Sequence, residues 1–150
     1  MEFKDFGLHA DIERALTAKR YTQPTPIQSQ AIPVLLEGRD LCGIAQTGTG
    51  KTAAFSLPSL DYMLSNPRPR TPRGCRMLVL SPTRELAAQI AQSCRDYGRF
   101  TKLSVATVFG GVPINRQIRD LSQGVDILVA TPGRLLDLVD QRALRLDDVE

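Results

Sequence analysis

The sequence predicts an α/β fold: a parallel sheet with helices on both faces. Three observations carry that prediction. Four short runs, Leu41–Ala45, Met77–Ser81, Ser104–Phe109 and Val125–Ala130, are almost continuously aliphatic, the pattern of strands covered on both sides. The stretches after them repeat apolar residues three and four apart, the spacing of a helix face. The connections are short, so strand and helix alternate as in layered proteins with right-handed crossovers.

The elements follow in order. Leu8, Ile12, Ala15 and Leu16 form one apolar face, hence a first helix, with His9 beside Asp11 at its start. Thr25-Pro26 is a capping residue followed by proline at the first helical position. The second helix runs from there to near Gly38, and Pro33 is expected to kink it. After the first strand a helix spans Ala53–Leu64. Leu86, Ile90, Cys94 and Tyr97 define the next helix, Ile114, Ile118 and Leu121 the one after, and Leu135, Leu138 and Val139 the last. Between Ser65 and Arg76, prolines 67, 69 and 72 interleave with Arg68, Arg70, Arg73 and Arg76. As a helix-to-strand connection, that loop emerges at the N-terminal edge of the sheet and is expected to be solvated. There is no internal repeat.

Composition narrows the class. At 150 residues the chain has the size of one domain, and 42% hydrophobic with 23% charged residues is the balance of a globular chain, which excludes disorder. No apolar stretch approaches the roughly 20 residues of a membrane helix. The start, Met1-Glu2-Phe3-Lys4-Asp5, lacks the layout of a signal peptide. Cys42, Cys75 and Cys94 are odd in number and have no metal-ligand spacing, so reduced, mostly buried thiols in a cytoplasmic protein are expected. The net charge of +3 permits an anionic partner without identifying one.

The chemistry sits in motifs. Ala45-Gln46-Thr47-Gly48-Thr49-Gly50-Lys51-Thr52 follows the first strand and opens a helix. This is the phosphate-loop pattern, with Ala in place of its first Gly. Gly48 and Gly50 let backbone N–H groups turn toward phosphate oxygens, and the helix N-terminus adds its positive dipole. Lys51 neutralises the β- and γ-phosphates, and the Thr52 hydroxyl is suited to magnesium. The competing reading is a Gly-rich turn with a solvent lysine, but strand before and helix after both favour the nucleotide. The loop alone would suit kinases, transporters and GTPases equally.

Upstream lies Tyr21-Thr22-Gln23-Pro24-Thr25-Pro26-Ile27-Gln28. Alone, its prolines punctuate a turn and a helix start, and Gln28 reads as a surface residue. Together with the phosphate loop it resembles the DEAD-box RNA helicases, whose adenine-reading element is the Q motif. Three further segments resemble that family: Pro82-Thr83-Arg84-Glu85-Leu86-Ala87 as motif Ia, Gly110-Gly111 as its glycine doublet, and Thr131-Pro132-Gly133-Arg134 as motif Ib. Each could be an ordinary βα turn with a helix cap. All of them in the family's order, from Phe3 to Glu150, make the resemblance specific.

The resemblance implies a RecA-like domain, with residues 1–38 as a helical lead-in and 39–150 as part of the first such domain. It implies ATP with Mg2+ as cofactor. Gln28 would read the adenine edge through an amide that both donates and accepts, Tyr21 would stack on the base, Phe3 would support it, and Gln23 would add a contact. Core packing is the alternative for Phe3 and Tyr21. The implied RNA contacts are Pro82, Thr83, Arg84, Gly110, Gly111, Thr131, Pro132, Gly133 and Arg134, all to sugar and phosphate. The family's Asp-Glu-Ala-Asp strand, Ser-Ala-Thr element and second RecA-like domain are not among these residues. The expectation is therefore a piece of an RNA helicase that binds ATP and clamps RNA but does not hydrolyse ATP by itself. A DNA-directed helicase or translocase of the same superfamily and a non-catalytic RNA-clamping module are the alternatives.

Overall fold

The run Val125–Ala130 becomes the middle strand of a three-stranded parallel sheet, and its sequence explains why. Every residue of Val-Asp-Ile-Leu-Val-Ala is buried, which only a strand with neighbours on both edges and cover on both faces achieves. The computed structural model describes every residue except Thr47 and Thr49. A 3-10 turn at Phe3–Phe6 leads into α1 (Ala10–Ala18), α2 (Pro26–Leu36), α3 (Lys51–Ser65), β1 (Cys75–Leu80), α4 (Arg84–Tyr97), β2 (Val105–Val108), α5 (Ile114–Leu121), β3 (Val125–Ala130) and α6 (Pro132–Asp140). The chain forms two compact units: Met1–Pro67 with Asp96–Lys102, and Arg68–Arg95 with Leu103–Glu150.

In the second unit the sheet order is β1-β3-β2, with helices flanking parallel strands. Cys75 pairs with Val125 and Leu80 with Ala130 on one edge of β3; Val105 pairs with Ile127 and Val108 with Ala130 on the other. Side chains alternate along β3. Leu128 and Ala130 join Val108, Leu121, Leu135, Leu138 and Leu144 in one core, so α5 and α6 bury the faces their spacing predicted. Ile127 and Val129 point to the other face.

Two expectations are corrected here. Leu41–Ala45 is not a strand: Leu41 is 44% exposed and Ile44 92% exposed, and no ladder includes them. Aliphatic composition makes a strand only where a partner supplies the hydrogen bonds. The Arg/Pro loop is exposed over most of residues 65–73, as expected, and the correction is that its guanidinium groups are paired within the unit. Arg70 donates from Nε and Nη2 to Asp126 Oδ2, each at 3.2 Å, and Arg73 donates to the carbonyl of Arg142 at 3.0 Å. Asp126 is buried and also accepts from the Ser104 backbone N–H at 2.9 Å, so its charge is compensated. Arg76 lies inside β1, buried, and pairs with Glu150, whose backbone N–H donates to the Arg76 carbonyl at 2.8 Å. These guanidinium groups make intramolecular bonds within the unit, and Arg76 among them is buried.

In the first unit α2 packs against α3, and Ile12, Leu16, Ile32, Leu57 and Leu60 are fully buried. His9 caps α1 by accepting from the Asp11 N–H at 3.1 Å, the role its position predicted. Its own N–H donates to Asp61 on α3 at 2.8 Å. α2 runs through Pro33 without a break to Leu36, and Gly38, two residues on, has a φ of 80° in the left-handed region. Cys75 and Cys94 are buried, and burial pushes each thiol up to about 11; Cys42 is exposed, and all three are free. Among the described residues no helix is long and apolar enough to cross a membrane.

Candidate nucleotide and nucleic-acid sites

The residues expected to bind nucleotide lie in the first unit. α3 opens at Lys51, directly after Gly50, which has a φ of 85° that a side chain would resist. The first turn therefore presents its orphan N–H groups at the end of the loop. The Lys51 ammonium donates to the carbonyl of Ala45 at 2.8 Å, closing the loop across its own mouth. Thr52 is half-buried on the first turn, Gln46 and Gly48 are exposed, and Thr47 and Thr49 lie outside the described residues.

Gln28 is the joint between the helical lead-in and this loop. It is buried, with 4% of its surface exposed. Its Oε1 accepts from the Thr25 N–H at 2.9 Å, half of a capping box at the start of α2. Its Nε2 donates to the Gly50 carbonyl at 3.1 Å. The single-residue reading of Gln28 as a surface group is thus replaced by a buried tie. The Gly50 backbone must approach closely for this: a Cβ there would lie 2.2 Å from Gln28 Nε2.

Phe3 and Tyr21 form a separate aromatic group in the same unit. Phe3 is buried and stacks on Tyr21 at 6.5 Å with 23° between rings, while Tyr21 is 41% exposed. Tyr97 lies 6.5 Å from Tyr21, and the Lys19 ammonium sits 5.4 Å from the Tyr21 ring and 3.0 Å from Asp96. A cavity of about 130 Å³ borders Phe3 and Tyr21. A second, of about 310 Å³, is lined by Ile27, Leu35, Leu41, Lys51 and Phe55 and is mostly apolar. Neither includes Gln28. Gln23 is exposed.

The second unit brings the other three segments to one edge. Leu80, Ala130 and Val108 are opposite one another across the three strands, so the chain leaves β1, β3 and β2 at the same level. Backbone bonds from Ser81 N–H to Ala130 O and from Thr131 N–H to Val108 O, at 2.9 and 3.0 Å, continue that register into the turns. Pro82, Thr83 and Arg84, Gly110 and Gly111, and Pro132 and Gly133 are exposed there. Thr83 caps α4, its hydroxyl accepting from the Leu86 N–H at 3.2 Å. Thr131 precedes Pro132 at the start of α6, and its side chain makes no cap bond. The Arg84 guanidinium lies over the Phe109 ring, 4.7 Å from its centroid, and a Cβ on Gly111 would lie 3.8 Å from Arg84 Nη1. Gly111 has a φ of 84°.

Arg134 faces inward. Its Nη1 donates to Gln117 Oε1 at 2.9 Å and its Nη2 to the Val112 carbonyl at 3.0 Å. Its Nε is buried without a hydrogen-bond partner, with Asp137 Oδ2 3.9 Å away. Gln117, in turn, donates to the Phe109 carbonyl at 3.1 Å. Sequence reading missed Gln117, which looks like a surface glutamine on α5 yet links the glycine-doublet turn to the α6 turn. Its signal was positional: it follows Ile114 by three residues, on the apolar side of the helix.

A parallel sheet with anion-suited turns at the carboxyl ends of its strands, plus a phosphate loop opening a helix, defines the class of P-loop nucleotide-binding α/β proteins. The comparison with known proteins is sharper. The model of the DEAD/DEAH box helicase family matches residues 25–150, and the chain belongs to that family. It is 44% identical over 145 residues to DEAD-box ATP-dependent RNA helicase 20 of Oryza sativa subsp. japonica, a match covering 97% of this chain. The chain spans 29% of that relative's length.

Proposed function

We propose that this chain is the ATP-binding, RNA-clamping part of an ATP-dependent RNA helicase, with residues 1–38 as the Q-motif lead-in and 39–150 as part of a RecA-like domain. The observation that carries the reading is the Gln28–Gly50 bond, because it joins the would-be base reader to the phosphate loop. An amide has two donors and two acceptor lone pairs, and the two bonds seen take one of each. What remains is a donor beside an acceptor, the complement of the adenine N6/N7 edge. Bound ATP, with Mg2+, would supply the phosphoanhydride whose hydrolysis drives strand release.

The chain's own residues bind and orient. Lys51 leaves the Ala45 carbonyl to meet phosphate oxygens, the N–H groups at Gly48, Gly50 and the start of α3 hold them, and Thr52 offers the metal one hydroxyl. Magnesium takes few protein ligands beside phosphates and waters, so one hydroxyl suffices. Among the described residues no group of three His, Cys, Asp or Glu side chains could hold a metal. Phosphoryl transfer needs the family's acidic motif and second domain as well, so the reading is that residues 1–150 bind ATP without hydrolysing it. The three turns at the strand ends hold RNA by sugar and phosphate, with little sequence preference and with affinity falling as salt rises. Three free cysteines favour a cytoplasmic location.

The test is calorimetric titration of the chain with Mg-ATP and Mg-GTP, with RNA binding measured in parallel without nucleotide. Lys51→Ala should weaken ATP binding by at least about tenfold, one charge-assisted contact of roughly 1.5–3 kcal/mol, and leave RNA binding intact. Equal affinity for ATP and GTP would refute Gln28 as a base reader.

A further inference from the structure

Beside the RNA track lies a cavity of which only Arg84 belongs to the backbone contacts named above. It has a volume of about 520 Å³ and is lined by Arg84, Thr107, Phe109, Pro113, Arg116 and Asp120, among others. That size is within the roughly 300–1,000 Å³ of small-ligand clefts. Its chemistry is specific. Its lining includes the Phe109 ring with the Arg84 guanidinium over it, 4.7 Å from the centroid. From α5 the lining takes Arg116, which is exposed and forms no ion pair among the described residues. Asp120, one turn later on the same helix, is the sole acid in the lining, so the cavity carries a net excess of one positive charge. The Gly110-Gly111 turn opens beside it without side chains.

We propose that this cavity takes one nucleotide of the bound RNA, its base stacked on the Phe109–Arg84 platform and its phosphate held by Arg116. The inference rests on the RNA-clamping reading above. A flat arginine on an aromatic ring is a surface on which any base can stack, and proteins that bind single strands without sequence preference use such platforms. Arg116 is placed for the backbone because a guanidinium is always charged and matches phosphate oxygens in pairs. The cavity adds to the strand track a point of base contact that is tolerant of base identity.

The experiment measures binding of single-stranded RNA by the whole chain across a salt series, using a set of oligonucleotides in which one abasic unit is moved along the strand. One abasic position should weaken binding about tenfold, and that loss should shrink in Phe109→Leu. Arg116→Ala should lower the slope of log affinity against log salt by about 0.7, one released counterion on a single strand, and Arg116→Lys should restore it. Arg116 is exposed, so circular dichroism should be unchanged in both variants. Uniform binding across the abasic set, or an unaltered slope in Arg116→Ala, overturns the proposal while wild-type RNA binding leaves the clamp reading standing. Absence of RNA binding by the wild type overturns both.

Discussion

Replacing Gly50 with alanine tests the joint between the Q motif and the phosphate loop. The new Cβ would stand 2.2 Å from Gln28 Nε2, 3.0 Å from its Cδ and 3.3 Å from Thr25 Oγ1. The Gln28 amide must move, and it loses the bonds to the Gly50 carbonyl and from the Thr25 N–H together. Two such bonds are worth about 2 kcal/mol. Holding alanine at a φ of 85° adds about 1 kcal/mol. The expected cost of Gly50→Ala is thus about 3 kcal/mol. In a Gln28→Ala background the bonds and the obstacle are already gone, so the same substitution should cost only the backbone strain, about 1 kcal/mol. Urea denaturation of the wild type, both single variants and the double variant closes the cycle, with an expected coupling of about 2 kcal/mol. A coupling within about 0.5 kcal/mol of zero, the scatter of independent sites, would refute the contact.

Three other outcomes are expected. Asp126→Ala should destabilise by about 2 kcal/mol in urea, because the Ser104 N–H loses its acceptor while half-exposed Arg70 rehydrates; Asp126→Asn should cost about half as much. Gln117→Leu should unseat Arg134 and weaken RNA binding about fivefold, the equivalent of one hydrogen bond, while leaving nucleotide affinity unchanged in the same calorimetric titration. The hydrogen bond from Arg76 holds the Glu150 carboxyl below its ordinary value of 4.5, against the upward push of burial and with added help from the charges of Arg76 and Arg68. A depressed carboxyl stabilises the fold above its unfolded pKa and ceases to as pH falls through the folded one, so stability should drop below about pH 4.5, and Arg76→Met should flatten that limb in urea melts from neutral pH to about pH 3.

What could be read from the sequence depended on how local its cause was. α5 and α6 emerged from their own periodicity, and β3 from an aliphatic run long enough to need cover on every side. His9 capped α1 because capping involves only the next two residues. Leu41–Ala45 misled because its residues resemble strand residues, yet a strand is a property of a pair. The fate of Arg70 was equally invisible, since its partner Asp126 is 56 positions away and gave no sign on its own. The site divides the same way. The phosphate loop and the three turns can be singled out from the sequence because each is a contiguous motif. The roles of Gly50 as a close neighbour of Gln28, and of Gln117 as a brace for Arg134, arise only when separated segments meet.

The level ending of the three strands makes the sheet a ruler. Neighbouring strands are about 4.8 Å apart, so the turns after β1, β3 and β2 are spaced at that interval whatever the lengths of the helices between them. The order along the ruler differs from the order along the chain: Thr83 comes first, then Thr131, then Gly110, because the last strand in sequence lies in the middle. A strand of nucleic acid laid across the edge would meet the second motif of the polypeptide last. Lengthening or shortening α5 would leave that spacing intact, whereas a one-residue slip of β2 would displace the glycine doublet by about 3.3 Å and turn its flanking side chains to the opposite face.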